Sequence, residues 1–120
     1  MLEITQWGNL RLLSGNSVFE TCKNLLINTR DQPNLKDTTD LSYMFYDCDS
    51  FNSDLSKWDV STITNMECMF HKCKEFTSDL SKWDVSNVTN MECIFDGCKS
   101  FNSNLHVTPS SVLVSLNDAG

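Results

Sequence analysis

Apolar and polar residues recur along this chain on a fixed schedule of 25 residues. Residues 56–80 read SKWDVSTITNMECMFHKCKEFTSDL and residues 81–105 read SKWDVSNVTNMECIFDGCKSFNSNL, identical at 17 of 25 positions without a gap. One step earlier, residues 31–55 keep the apolar skeleton: Met44, Phe45, Cys48, Phe51 and Leu55 stand where Met69, Phe70, Cys73, Phe76 and Leu80 stand. A further step of 26 recovers a degenerate unit from Ile4, Trp7, Val18, Phe19, Cys22 and Leu25. A period of this length points to a stack of units that bury their faces against their neighbours. The expected fold is an α/β repeat, a short leucine-rich-repeat-like solenoid with parallel strands on one face and short helices on the other. It forms one domain over residues 1–120: a capping repeat at 1–29, repeats at 30–54, 55–79 and 80–104, and a tail or cap at 105–120.

Each unit divides into elements. Leu55-x-x-Trp58-x-Val60 and Leu80-x-x-Trp83-x-Val85 follow the L-x-x-L-x-L strand pattern with Trp at the middle position. Thr64-Asn65-Met66-Glu67, repeated at 89–92, reads as a capping box at a helix start, each side chain satisfying a free N–H of the other residue. Val88, Met91, Ile94, Phe95 and Cys98 then follow helical spacing. Lys99-Ser100 and Asn102-Ser103 supply turn chemistry before the next strand. After Leu105 a new unit starts and is abandoned at Pro109, which suits a sheet edge. Val112–Leu116 is expected as one more strand or as a cover across the open end.

The repeated F-x-S-D-L-S-K-W-D-V-S-x-x-T-N-M-x-x-[MI]-F-x-x-C unit resembles the BspA-like leucine-rich-repeat surface-protein family, found in host-associated bacteria, some protozoa and some large DNA viruses. The opening Ile4-Thr5-Gln6-Trp7-Gly8-Asn9, then Phe19-x-x-Cys22 and Pro33-Asn34-Leu35, resembles the way arrays of that family begin. The resemblance covers residues 4–105. It implies surface display, adhesion and binding of host or partner proteins. This chain departs from the family in its short array, and in Cys at a position that is often Ala or Gly there.

Composition narrows the functional classes. Forty per cent apolar and 21% charged residues fit a folded soluble domain rather than a disordered chain. Nine basic against sixteen acidic residues, a formal charge of −7, argue against nucleic acid or an anionic membrane as partner. No apolar run approaches the roughly 18 residues of a spanning helix. Met1–Trp7 lacks a basic stretch followed by an apolar one, so no signal peptide is visible.

The six cysteines carry the sharpest chemical candidates. Cys68-x4-Cys73 and Cys93-x4-Cys98 have spacing permissible for zinc thiolates. The same spacing follows from repetition alone, with Cys22, Cys48, Cys73 and Cys98 as one inward ladder and Cys68 and Cys93 beside Tyr43 as another. Disulfides between units are allowed by distance, but side chains in register point the same way and suit the disulfide torsion poorly. The reading preferred is a ladder of free thiols in a reducing setting, with no metal and no cofactor. His71 and His106 do not recur, as expected of variable surface positions, and no catalytic motif is present. Trp7, Trp58 and Trp83 are expected in the core rather than as exposed anchors.

What remains for function is surface. The candidate partner-binding face comprises Ser56, Lys57 and Asp59 with their repeats Ser81, Lys82 and Asp84, although Asp59 and Asp84 can instead accept N–H bonds in the following turn. The expected function is a non-catalytic protein-binding module of surface-protein type. The alternative is a small structural subunit, present in many copies in an assembly such as a virion or surface layer.

Overall fold

The structure, a computed structural model, describes residues 2–10 and 12–101. Residues one repeat apart lie side by side, so the chain is a stack of coils. Two three-residue strands, β1 (Leu2–Ile4) and β2 (Leu25–Ile27), pair in parallel with Leu2 opposite Leu25 and Ile4 opposite Ile27. Further along, isolated parallel bridges join Asp40 to Asn65 and Asn65 to Asn90.

The expected α/β solenoid, with strands on one face and helices on the other, is not what forms. Among the described residues there is no helix, and β1 and β2 are the only strands. The reason lies in where the backbone donors go. In the segment read as a capped helix, the N–H groups of Met69, His71 and Cys73 return three residues, to the carbonyls of Met66, Cys68 and Phe70. Between them, the N–H groups of Met66, Cys68, Phe70 and Lys72 leave the coil and reach the carbonyls of Asn90, Glu92, Ile94 and Asp96 at 2.7–3.1 Å. An α-helix needs every such donor for its own carbonyl four residues back. Half of them are committed to the neighbouring coil.

Backbone dihedrals enforce the same outcome. Two residues per coil, four apart, are left-handed: Ser17 and Thr21, Tyr43 and Asp47, Cys68 and Lys72, Cys93 and Gly97, with φ between 51° and 79°. A positive φ at the third residue of a four-residue turn is the type II signature, and the Leu41–Met44 and Phe45–Cys48 turns carry it at Tyr43 and Asp47. Successive turns that advance by three and four residues bury the same positions as a helix does. Val88, Met91, Ile94, Phe95 and Cys98 are all buried without one.

The other sequence elements are displaced as well. Leu55-x-x-Trp58 is a turn closed by Trp58 N–H on the Leu55 carbonyl at 3.1 Å, and Trp83 does the same on Leu80 at 3.0 Å. The Thr64 hydroxyl donates to the Thr39 carbonyl one coil away. Asn65 Oδ1, not Thr64, accepts the Glu67 N–H at 3.0 Å, and Asn90 repeats this with Glu92. These are Asx turns. The expectations for 105–120, including the Val112–Leu116 strand, and the end of the 80–104 unit lie outside the described residues.

Side chains in register form columns in the core. Phe19, Phe45, Phe70 and Phe95 stack with centroids 5.6–6.0 Å apart, and Phe51, Phe76 and Phe101 form a second column at 5.8–5.9 Å. Within each coil the two columns touch, as at Phe45–Phe51 (4.4 Å). Offset-stacked rings add about 0.5–1.5 kcal/mol per pair beyond area burial. Between columns, polar ties replace backbone bonds: Ser53 Oγ accepts Ile27 N–H at 2.8 Å and Ser78 Oγ accepts Leu55 N–H at 3.0 Å, both buried.

Peptide orientation repeats through the whole stack. The Asp40 carbonyl accepts Gly15 N–H, while Leu41 N–H, on the far side of the same planar trans peptide, donates to Asn65. Three more peptides per coil do likewise, so four chains of hydrogen-bonded peptides run from residues 14–21 to residues 90–97, every N–H pointing one way.

A left-handed backbone favours glycine, which lacks the Cβ that crowds the carbonyl. Gly97 alone uses one in this register; a Cβ there would lie 3.2 Å from Lys72 Cα. Gly97→Ala is therefore expected to lower stability by about 1–2 kcal/mol, and Thr21→Gly, which relieves an exposed β-branched residue, to raise it by about 0.5 kcal/mol. Urea unfolding midpoints measure both.

Candidate functional site

The repeated F-x-S-D-L-S-K segment closes each coil and leaves a polar trough along the outside of the stack. Asn52, Ser53, Asp54, Ser56, Thr77, Ser78, Asp79 and Lys82 line one section of about 380 Å³. Ile27, Asn28, Thr29, Arg30, Gln32, Asp54 and Lys57 line the next, of about 420 Å³. A third section of about 510 Å³ continues over Thr5, Gln6 and Asn28–Asp31. The sections share Asp54, Asn28, Thr29 and Arg30, so they form one trough crossing coil after coil.

Its walls are built locally. Asp54 Oδ1 accepts the Ser56 N–H at 2.9 Å and Asp79 Oδ1 the Ser81 N–H at 2.9 Å. The Ser56 N–H, then the Ser56 hydroxyl, and to a lesser degree the charge of Lys57 hold the Asp54 carboxyl below the usual carboxylate range. Asn52 Oδ1 accepts both the N–H and the hydroxyl of Thr77 one coil on. The result is a column of carboxylates beside a column of exposed lysines.

The six candidate face residues divide. Ser56, Lys57 and Lys82 line the trough, and Ser81 follows Asp79 at its wall, half-buried. They lie on turns rather than on the sheet face expected for them, because Leu55-x-x-Trp58 folds back on itself. Asp59 and Asp84 line none of the three sections. Each accepts the N–H and hydroxyl of the serine two residues on, Ser61 at 3.1 and 2.7 Å and Ser86 at 3.0 and 2.7 Å. Asp59 is held below the usual carboxylate range by the Ser61 hydroxyl and then by its N–H. Asp54, Asp79, Ser53 and Ser78 were not singled out from the sequence, although the recurrence of F-x-S-D-L was the available signal.

The remaining candidates lie inside. Trp7, Trp58 and Trp83 are buried. Trp83 Nε1 donates to the Leu55 carbonyl at 2.9 Å, and Trp7 meets Trp58 edge-on at 5.8 Å. Pro33, the buried residue at the equivalent position of the coil between, leaves room for that contact. All six cysteines are free thiols. Cys48, Cys73 and Cys98 are buried, and each donates its S–H to a phenylalanine carbonyl of the preceding coil, Phe19, Phe45 and Phe70, at 2.8–3.0 Å. Cys22, at the head of that row, is half-buried. Burial pushes Cys48 and Cys98 up to about 12 and Cys73 in the same direction. In the second row, hydrogen bonding to Cys68 pushes the Tyr43 phenol up to about 12, and burial raises Cys68.

His71 departs from the variable surface position expected for it. Its side chain is only 16% exposed, its ring stacks on Tyr46 at 5.0 Å, and Nε2 meets Asp96 at 3.2 Å. The Tyr46, His71 and Asp96 side chains occupy one column, which is why an isolated histidine is drawn inward. His106 lies outside the described residues. Among the described residues, no group of three or more His, Cys, Asp and Glu is arranged to hold a metal, and no helix is long and apolar enough to cross a membrane.

Coils joined by backbone bonds, with a polar trough on the flank, define a stacked-repeat protein. The chain belongs to the family described as Mycoplasma protein of unknown function, DUF285, whose model matches residues 13–117. No curated protein and no solved structure matches the chain.

The raised thiols set an alkaline limit. The folded protein retains protons at Cys48 and Cys98 that the unfolded chain releases above pH 9, so their contribution is intact below pH 9 and declines as pH rises toward 12. Unfolding midpoints taken from pH 8 upward are expected to fall above pH 9. The slope should lose about one proton for each of Cys48→Ala and Cys98→Ala. An unchanged slope in both variants would contradict the buried-thiol account.

Proposed function

We propose that this chain is a non-catalytic protein-binding module of the BspA-like surface-repeat type, which engages its partner along the polar trough. The observation that carries this reading is the trough itself, in which the acidic and basic positions Asp54 and Lys57 of one coil are repeated as Asp79 and Lys82 in the next. The large apolar side chains of the repeats are consumed by the core, so the trough offers hydrogen bonds and charge rather than an apolar pocket. Such surfaces obtain specificity and encounter rate from electrostatic complementarity more than affinity from area. An extended partner segment lying along the stack meets the same donor and acceptor set at each coil, and contacts that are weak singly gain by repetition. Surface display and adhesion agree with the resemblance carried by the W-D-V-S-x-x-T-N-M unit.

The reading is tested by titrating labelled protein on an array of purified extracellular-matrix and serum proteins. Saturable binding that weakens with salt is expected. The double charge reversal Lys57→Glu/Lys82→Glu should reduce it about tenfold or more, while Glu92→Lys on a different part of the coil leaves it unchanged. Equal binding by both variants, or no saturable binding to any protein on the array, would reject the trough as the binding site.

A further inference from the structure

The charged side chains of the trough are not equivalent, because its acids are bonded into their own coils and its bases are not. Both oxygens of Asp31 accept the Trp7 N–H, at 3.0 and 3.1 Å, and one also accepts the Gly8 N–H at 2.7 Å. Asp54 accepts the Ser56 N–H, with the hydroxyls of Ser56 and Ser78 as further donors, and Asp79 accepts the Ser81 N–H. Each carboxylate therefore shapes a turn, and a partner reaching for its oxygens competes with donors already in place. Arg30, Lys57 and Lys82 are exposed and line the same trough, yet among the described residues none of them forms an ion pair or donates a side-chain hydrogen bond. Lys23, on a different part of the coil, shows the contrast: its ammonium lies 3.1 Å from Asp47 and 3.4 Å from Asp49.

The three cations come from consecutive coils. Backbones paired in parallel lie about 5 Å apart, so the row covers about 10 Å along the trough. Asp54 tempers the charge of Lys57 without bonding it, and the donors of the row stay unspent. An extended peptide presents the side chains of one face every 6.6 Å or so. Long, flexible lysine and arginine arms absorb a mismatch of about 2 Å per coil. Asn28, Gln32 and Asn52 add side-chain amides able to meet the backbone of such a peptide. The charge of −7 on the whole chain is screened beyond about 8–10 Å at physiological salt, which leaves the choice of partner to the groups at contact.

We propose that the partner of the trough is an acidic protein segment bound in extended conformation, its carboxylates on alternate residues pairing with Arg30, Lys57 and Lys82. This rests on the trough being the binding surface, and adds the charge and shape of what lies in it. A densely charged polyanion fits less well, because it presses its charge on Asp54 and Asp79 too. A peptide with neutral residues between its acids brings charge to the cation row and leaves the adjacent acidic column alone. Charge-assisted bonds to those cations then supply the specificity.

The test uses the full chain and fluorescein-labelled peptides of alternating Ser-Glu, Ser-Gln and Ser-Lys, read by fluorescence anisotropy. The Ser-Glu peptide is expected to bind saturably, at least tenfold tighter than Ser-Gln, and to weaken as salt rises. Lys57→Gln/Lys82→Gln should lower that affinity about tenfold or more, while Lys36→Gln/Lys74→Gln, the same change in net charge at exposed sites off the trough, leaves it unchanged. Asp54→Asn/Asp79→Asn keeps an acceptor for the Ser56 and Ser81 N–H groups, and with it the turns, and should tighten Ser-Glu binding a few-fold. The proposal is overturned if Ser-Glu binds no better than Ser-Gln, or if the two lysine pairs behave alike. It is equally overturned if a sulphated oligosaccharide binds the trough more tightly than Ser-Glu does. Binding of Ser-Lys instead, lost in Asp54→Asn/Asp79→Asn, would reverse the charge of the partner and leave the trough as the binding surface. Failure of the trough itself reads differently, as array binding that Lys57→Glu/Lys82→Glu does not change.

Discussion

A planar trans peptide holds its carbonyl and its N–H on opposite sides, and in this protein every second peptide of one segment is turned parallel to the stacking direction. That orientation binds each coil to both neighbours at once. It demands left-handed residues four apart, such as Tyr43 and Asp47, to rotate alternate peptides into line. Non-glycine residues in that conformation cost about 1 kcal/mol or more each. The inter-coil bonds at 2.7–3.1 Å, shielded by the phenylalanine columns, offset the strain. Without the neighbouring coil the conformation has no reason to persist, so the units are stable only as a stack.

Stacking in register puts like beside like, and this sorts the residue types. Aromatic rings gain from it, hence the two phenylalanine columns. Buried thiols tolerate it because each has a carbonyl of the preceding coil to bond. The doubly used phenylalanine carbonyl, which accepts its own coil's cysteine N–H and the next coil's S–H, ties this column to the backbone ladder. Like charges gain nothing from proximity. Lysines and aspartates accordingly sit in adjacent columns at the exposed trough, where solvent screens them and each column tempers the other.

What the repeats leave exposed is mostly polar, since their large apolar side chains lie in the core. The flank carries this polar pattern from one coil to the next, Asp54 and Lys57 being followed by Asp79 and Lys82.

The sequence by itself determined the period, the inward positions and the identity of the columns. A 25-residue repeat of Met, Phe, Cys, Trp and Leu is visible without coordinates because burial is a property of residue type and spacing. It also offered Asp59 and Asp84 as acceptors in the following turn, bonds that reach only two residues along the chain. Secondary structure was not legible, because a three-to-four-residue apolar period is shared by a helix and by successive type II turns. The choice between them depends on whether a backbone N–H finds its carbonyl four residues back or 24 residues ahead, as Met66 finds Asn90. Nor could the trough be read as a unit, since Asp54 and Lys82 become neighbours only when one coil lies on another. Local chemistry is written in the chain. The partners of its backbone were decided by the tertiary stack, where hydrogen bonds between coils outcompete those within one.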